Sequence, residues 1–428
     1  MTRNTCTQGA IATTTILLAG LAAAQPTFQT AAPVPTGQRP GGVEFGDFDG
    51  DTMIDMVYSN DVPDSVSIRF GTGAGMFGAA VNFPTGANTG PDSFAIADFD
   101  QDLDLDVAVV LKNINTVAIL TNNAGTLSLT GQTAVGSDPR RIHAADIDGD
   151  GDADLLTSNR DSNTVSVLTN TGGMFSVTST LAAGDRPVAA IGADLDGDGD
   201  MEIIASNNRG RAVMVYTNTG GGFAAPVSTG VGPIVRPEGL DSADLDGDGD
   251  QDVIVALSDD GVGFVGVMTN QGGMLSAPVS TNSGGVNTDS VTAGDLDGDG
   301  DLDVAATNQD SNNIGILVNN AGSLSLSSTL ATGTRPERIV RADVNGDNLP
   351  DLATANRDSN TISIFENTTV GANNCLADVN GDGILSPTDF TAWIDAFNNN
   401  SVDCDQNGDT NCNPADFTAW IANYNAGC

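Results

Sequence analysis

The feature that most constrains this chain is an acidic stretch that returns at a nearly fixed interval. "ADLDGDGD" fills residues 193–200 and recurs letter for letter at 243–250. Related stretches begin at Asp47, Asp98, Asp146, Asp194, Asp244, Asp295 and Asp343, at intervals of 51, 48, 48, 50, 51 and 48 residues. A period of this size marks a repeat architecture, in which each unit buries its apolar face against its neighbours. Proline keeps the same phase. Pro40, Pro91, Pro139, Pro187, Pro237 and Pro336 each stand seven residues before the first aspartate, and Thr288 takes that place in the sixth unit.

The third unit shows the common plan. After its acidic loop come "DLLTSN" at 154–159, a polar turn "RDSN" at 160–163 and an alternating stretch "TVSVLTN" at 164–170. A glycine turn at 171–173 leads to a second alternating stretch, "MFSVTSTL", at 174–181. Period-two alternation between Gly, Asn and Asp turns predicts short antiparallel strands and no helix. Four strands in about 48 residues make one blade of a β-propeller, so seven units predict an all-β, seven-bladed propeller. The seventh unit stops after "TISIFENTTV" at 361–370, one strand short. "TFQTAAPVPTGQRP" at 27–40 matches "MFSVTSTLAAGDRP" at 174–187 and can supply that strand. An open β-solenoid is the rival. Complementary half-blades at opposite ends favour a closed ring, which removes two exposed sheet edges.

The acidic loops share the pattern D-x-[DN]-x-D-x-x-x-[DE]. Positions 1, 3, 5 and 9 are Asp47, Asp49, Asp51 and Asp55 in the first unit, and Asp98, Asp100, Asp102 and Asp106 in the second. They are Asp146, Asp148, Asp150 and Asp154 in the third, and Asp194, Asp196, Asp198 and Glu202 in the fourth. The fifth has Asp244, Asp246, Asp248 and Asp252, and the sixth Asp295, Asp297, Asp299 and Asp303. The seventh has Asp343, Asn345, Asp347 and Asp351. Carboxylates so close repel unless a cation lies between them. A hard ion that takes six to eight oxygens suits the set, which points to Ca2+, with a backbone carbonyl from position 7. Gly149 and its counterparts permit the sharp turn, and Gln101 in the second loop is expected to strain it. A solvated acidic turn is the plainer alternative, and seven recurrences in phase argue against it.

Composition removes other classes. The net charge is −41, Lys112 is the only lysine and His143 the only histidine. Nucleic-acid and anionic-membrane binding need clustered cations. No P-loop motif occurs, and one histidine makes a histidine metal site or a Ser-His-Asp triad a poor expectation. His143 reads as a packed or surface residue. Residues 1–24 read as a secretory signal: Arg3, then the apolar run at 11–24 ending in Ala22-Ala23-Ala24. That run is too short to span a bilayer, and no other segment could. The mature chain is therefore expected to be secreted, extracellular or attached to a cell surface.

The stretches "ADIDGDGDAD", "ADLDGDGDME", "SADLDGDGDQD" and "GDLDGDGDLD" resemble FG-GAP/VCBS-type repeats, the calcium-loop blades of integrin α-like propellers. The resemblance covers residues 25–370. It implies calcium held in loops between blade strands, chiefly for stability. The loops are not EF-hands, because they lack the twelfth-position acid and the flanking helices.

Residues 371–428 change character. "DVNGDGILSPTD" at 378–389 places Asp378, Asn380, Asp382, Gly383, Ser386 and Asp389 at EF-hand positions 1, 3, 5, 6, 9 and 12, with the Ile384 carbonyl at position 7. A helix is expected to follow, with Phe390, Trp393, Ile394 and Phe397 on one face and Pro387 in its first turn. "DQNGDTNCNPAD" at 405–416 repeats the loop through Asp405, Asn407, Asp409, Asn411, Asn413 and Asp416, and Phe417, Trp420, Ile421 and Tyr424 repeat the face. Thr410 replaces the glycine at position 6. Two such half-hands resemble a dockerin, and the terminal "NAGC" with four nearby cysteines resembles its cysteine-bearing, GC-type variety. That resemblance implies a small all-α module that plugs into a cohesin-like scaffold or cell-surface protein. A free calcium-binding domain is the alternative. Both tryptophans read as helix core. Cys6 falls in the signal, and Cys375, Cys404, Cys412 and Cys428 are expected to form two disulfides. Cys375–Cys428 with Cys404–Cys412 is one of three possible connectivities.

Three functions fit. The first is an exported, calcium-stabilised propeller for adhesion or for recognition of a protein or glycan. The second is a polysaccharide-binding or polysaccharide-degrading enzyme. The third is a purely structural surface protein. No catalytic constellation stands out, the propeller lacks tryptophan, and Arg160-Asp161 and Arg357-Asp358 read as scattered, solvated turns. A non-enzymatic role is the expectation.

Overall fold

In a computed structural model, the described residues are 25–259, 261–369, 387–399, 417–418 and 420–421. The expected signal segment, Tyr424, Cys375, Cys404, Cys412 and Cys428, and the two expected calcium loops, apart from residues 387–389 at the end of the first, lie outside them.

Residues 28–367 form seven sheets in a ring. Blade three is typical, with strand A at Pro139–Ala145, B at Asp154–Asn159, C at Thr164–Thr171 and D at Met174–Ala182. They pair antiparallel in that order. Strand A begins at the phase proline, where a missing N–H costs least, and a register shift follows between Pro139 and Ile142. The A strands of neighbouring blades touch and so surround the axis. Strands B are buried throughout in six blades, while the D strands face outward.

The core is divided by joint rather than by blade. Each of seven apolar clusters joins two neighbouring blades. The cluster of Val57, Ile68, Phe94, Val107 and Leu120 joins blades one and two. The expected closure is present: Phe28–Thr30 pairs with Phe365–Asn367, and Val34–Pro35 pairs with Thr361–Ile362. Val43 and Met56 then pack against Val340 and Ile364 across the seam.

In the C-terminal module a helix spans Pro387–Asn399, as the aromatic spacing predicts. Trp393 and Trp420 are buried, and the Phe390 ring lies 5.1 Å from Trp420 and 5.7 Å from Phe417. The two aromatic repeats therefore pack on each other. No described helix is long and apolar enough to cross a membrane.

Candidate functional site

Two ends of the ring carry the chemistry. Each strand A starts at one end and runs into an acidic loop at the other. At the loop end one geometry recurs.

In blade three the first carboxylate organises its own backbone. Asp146 Oδ1 accepts N–H from Gly149 (2.8 Å) and Asp150 (3.1 Å), and Oδ2 accepts from Gly151 (3.0 Å). Gly149 and Gly151 have φ of +76° and +93°, a region costly to other residues. Asp150 turns back and accepts from Asp152 N–H at 2.9 Å. Asp154, fully buried, accepts from Ile147 and Asp148 on one oxygen and from Asn170 on the other. The position-9 carboxylates make the same bridge in all seven blades, Glu202 included.

Carboxylate oxygens of positions 1, 3 and 9 lie within 4.8 Å of one another in the first four loops. In the fifth the gathered set is Asp244, Asp246 and Asp248. Burial pushes Asp106, Asp154 and Asp351 up to about 6 and Asp303 up to about 7. Burial, then the charge of Asp299, pushes Asp297 up to about 6. Asp297 Oδ2 is buried with no hydrogen-bond partner. An orphaned buried carboxylate oxygen inside an oxygen-only cluster fits a hard divalent cation. The seventh loop answers its repulsion differently, since Asn345 Nδ2 donates to Asp347 at 3.0 Å. The second is strained as expected: Gln101 has φ of +64° and Leu103, at the next such position, +78°.

Sequence reasoning missed the asparagines that lock the joints. Asn122, Asn170, Asn218, Asn270, Asn319 and Asn367 each donate Nδ2 to the second residue's carbonyl in the preceding blade's loop. Asn270 does so to Leu195 at 2.6 Å while its Oδ1 accepts from Gly273 N–H. The glycine turn then packs on the acidic loop: a Cβ on Gly173 would lie 3.0 Å from Asp100 Cβ. The signal was present, because these asparagines recur in phase. At the seam Gly71 stands in that place, where a Cβ would lie 2.5 Å from the Ile54 carbonyl oxygen.

The opposite end was also missed. The residues after the strand-A proline, or its counterpart Thr288, are Gly41, Asp92, Arg140, Val188, Glu238, Asp289 and Glu337, and all seven line one cavity of about 310 Å3. The backbone position repeats but the chemistry does not. Arg141 and Arg338 form the cavity's floor. Arg141 reaches from blade three to Asp289 in blade six (2.8 Å), and Arg338 from blade seven to Ser93 in blade two (2.5 Å). Below them a second cavity of about 300 Å3 includes His143. Burial, then Arg338, lowers that imidazole to about 4, so it is a neutral packed group near pH 7. Arg160 and Arg357, expected in scattered solvated turns, both line the upper cavity. They correct that reading: blade closure aims the turns after strand B at the axis. Arg357 contacts Glu337 at 2.8 Å.

The FG-GAP-like repeat model matches residues 47–109, 146–205, 194–255, 244–306 and 295–354. These segments cover well over half of the chain. The chain belongs to the FG-GAP-like repeat family. Each match runs from one acidic loop through the strand B that follows the next, so the family unit straddles two blades. Similar solved structures share the fold alone. BBS1N in its complex with ARL6DN is 13% identical with a TM-score of 0.57, over 80% of this chain and 97% of that one. A Lactobacillus plantarum protein is 18% identical with a TM-score of 0.53, over 72% and 87%. A functionally unknown Desulfotomaculum acetoxidans protein is 12% identical with a TM-score of 0.50, over 71% and 87%. No curated protein matches this chain.

Proposed function

We propose that this FG-GAP-like propeller works outside the cell as a calcium-loaded recognition or adhesion module, docked to a cohesin-like scaffold or surface protein through residues 371–428. One observation supports the calcium reading above others: the same self-bonded acidic loop is built in every blade, and in the sixth it buries Asp297 Oδ2 without a donor. The acids at positions 1, 3 and 9 would hold the ion, with position 5 and the position-7 carbonyl as further donors. Bound calcium would supply charge neutralisation. The chain's own part is to hold the carboxylates together. The position-1 acid shapes the turn, the position-9 acid ties it to strands B and C, and the joint asparagine ties it to the next blade.

The deciding experiment is calorimetric titration of calcium into chelator-stripped, full-length mature protein, with melting followed in parallel. Several sites per chain and a large rise in melting temperature are expected. No binding heat and an unchanged melt would sink the calcium reading. A second reading, action on a polysaccharide, draws on the arginine–carboxylate cavity. Appearance of new chain ends in a polysaccharide panel would establish it and overturn the non-enzymatic reading.

A further inference from the structure

The cavity at the strand-A starts, the mouth of the ring, is opposite in charge to the chain as a whole. Eight of the fourteen arginines line it, against four carboxyls, Asp92, Glu238, Asp289 and Glu337, in a chain of net charge −41. Arginines spread evenly over so acidic a surface would meet more acids than guanidiniums. Here the balance is reversed.

Five of the eight are engaged. Arg141 and Arg338 make the floor, Arg140 pairs with Asp138 and Asp92, and Arg335 and Arg357 share Glu337. Three are not. Arg160, Arg209 and Arg236 come from neighbouring blades three, four and five, and their side chains have no ion pair or hydrogen bond among the described residues. Arg160 feels its surroundings: burial, then Arg140 and Arg186, lower its hold on the proton, with the charges of Asp138 and Glu238 opposing them. Unpaired guanidiniums gathered at one cavity suit an oxyanion, which they bind through charge-assisted, forked hydrogen bonds.

The rest of the lining narrows the ligand. It contains no aromatic ring, so it offers no stacking platform for a neutral sugar face. It does contain hydroxyl partners. Glu238 accepts from Asn208 and Ser258 through Oε1 alone, and Gln309 and Asn287 add amides. About 310 Å3 suits a small molecule.

We propose that this mouth binds an acidic sugar, a hydroxylated ring bearing a carboxylate, phosphate or sulfate, with Arg160, Arg209 and Arg236 on the oxyanion and Glu238 with the amides on the hydroxyls. The inference rests on the recognition reading and names its ligand class, but it does not use the calcium loops.

The test is calorimetry on full-length, calcium-loaded protein with digalacturonate, galactose 6-phosphate, galactose 6-sulfate and galactose. At least one acidic sugar should bind, more weakly as salt rises, and galactose should not; the three acids identify which oxyanion is preferred. Arg160→Gln with Arg236→Gln should weaken that binding at least about tenfold. Arg209→Gln, at an exposed position, gives a second variant if the double one melts early. Equal binding of galactose, an unaltered affinity in folded variants, or no acidic-sugar binding at about 10 mM would overturn the inference. Calcium binding with no acidic-sugar binding removes this inference alone. Sugar binding without calcium binding removes the calcium reading alone.

Discussion

The two ends of each inner strand follow opposite rules. At its end, strand A runs into a loop whose acids are nearly the same in all seven blades. At its start, one register position is Gly, Asp, Arg, Val, Glu, Asp and Glu around the ring. The repeated end reads as scaffold, since every blade needs the same turn and the same joint. The varied end reads as recognition, since a single ligand on the axis meets each blade from a different side. The distinction predicts that disturbing the loops changes stability, whereas disturbing the mouth changes binding.

Calcium removal should have the largest effect. Saturating a site at a hundred times its Kd adds about 2.7 kcal/mol, and several sites act together. Chelation should lower the melting temperature by more than about 10 °C. A melt unmoved by chelator would break the comparison at its scaffold end.

Next is the joint. Asn270→Ala removes the bond to the buried Leu195 carbonyl and the acceptor for Gly273 N–H. Leaving buried groups unpaired should cost about 2–4 kcal/mol in chemical denaturation. Acidic-sugar affinity should not change in the folded fraction. An equal loss of affinity would show that the two ends are one device.

A third prediction sharpens the mouth. Burial, then the negative charge of Asp289, pushes Glu238 up to about 7, while Asn208, Ser258 and Arg141 oppose this. Its folded pKa lies above its unfolded one, so its ionisation costs stability in full above about pH 7, and the cost shrinks as pH falls from about 7 to the ordinary carboxylate range, below which it is gone. Protonation also removes a negative charge from an oxyanion site. Acidic-sugar affinity should therefore rise several-fold from about pH 8 to about pH 6. Burial also pushes Glu337 of the same cavity up to about 7, so the double variant with Glu337→Gln should flatten the profile, whereas Glu238→Gln alone should make it shallower. An unchanged profile in the single variant would take Glu238 out of the site.

The period, the blade pattern and the ring closure were legible because each is a repeated local signal. Phe28–Thr30 could be matched to blade seven because it resembles the strand that blade lacks. The joint asparagines were equally periodic, but a neutral amide in a polar turn looks like any turn residue until its carbonyl partner about 70 residues away is seen. The mouth was harder. Arg160 follows strand B and Arg236 opens strand A, so they share no register, and only ring closure brings them to one cavity. Departures from the repeat after each proline were visible in the sequence and were the available clue.

The smallest effect tests the scaffold at its weakest copy. In the second loop both left-handed positions lack glycine: Gln101 and Leu103. Leu103 is 91% exposed, so its side chain contributes little packing to offset the backbone cost. Left-handed backbone costs a non-glycine residue about 1–2 kcal/mol, and glycine loses part of that gain through its freer unfolded chain. Leu103→Gly should therefore stabilise the protein by about 1 kcal/mol, read by chemical denaturation in calcium. The same change at Asn348 in the seventh loop should give less, because asparagine tolerates that conformation better than leucine. If Leu103→Gly instead destabilises, the exposed leucine is held by something that covers it. The second loop would then belong with the mouth, among the positions where the repeat was altered for a purpose.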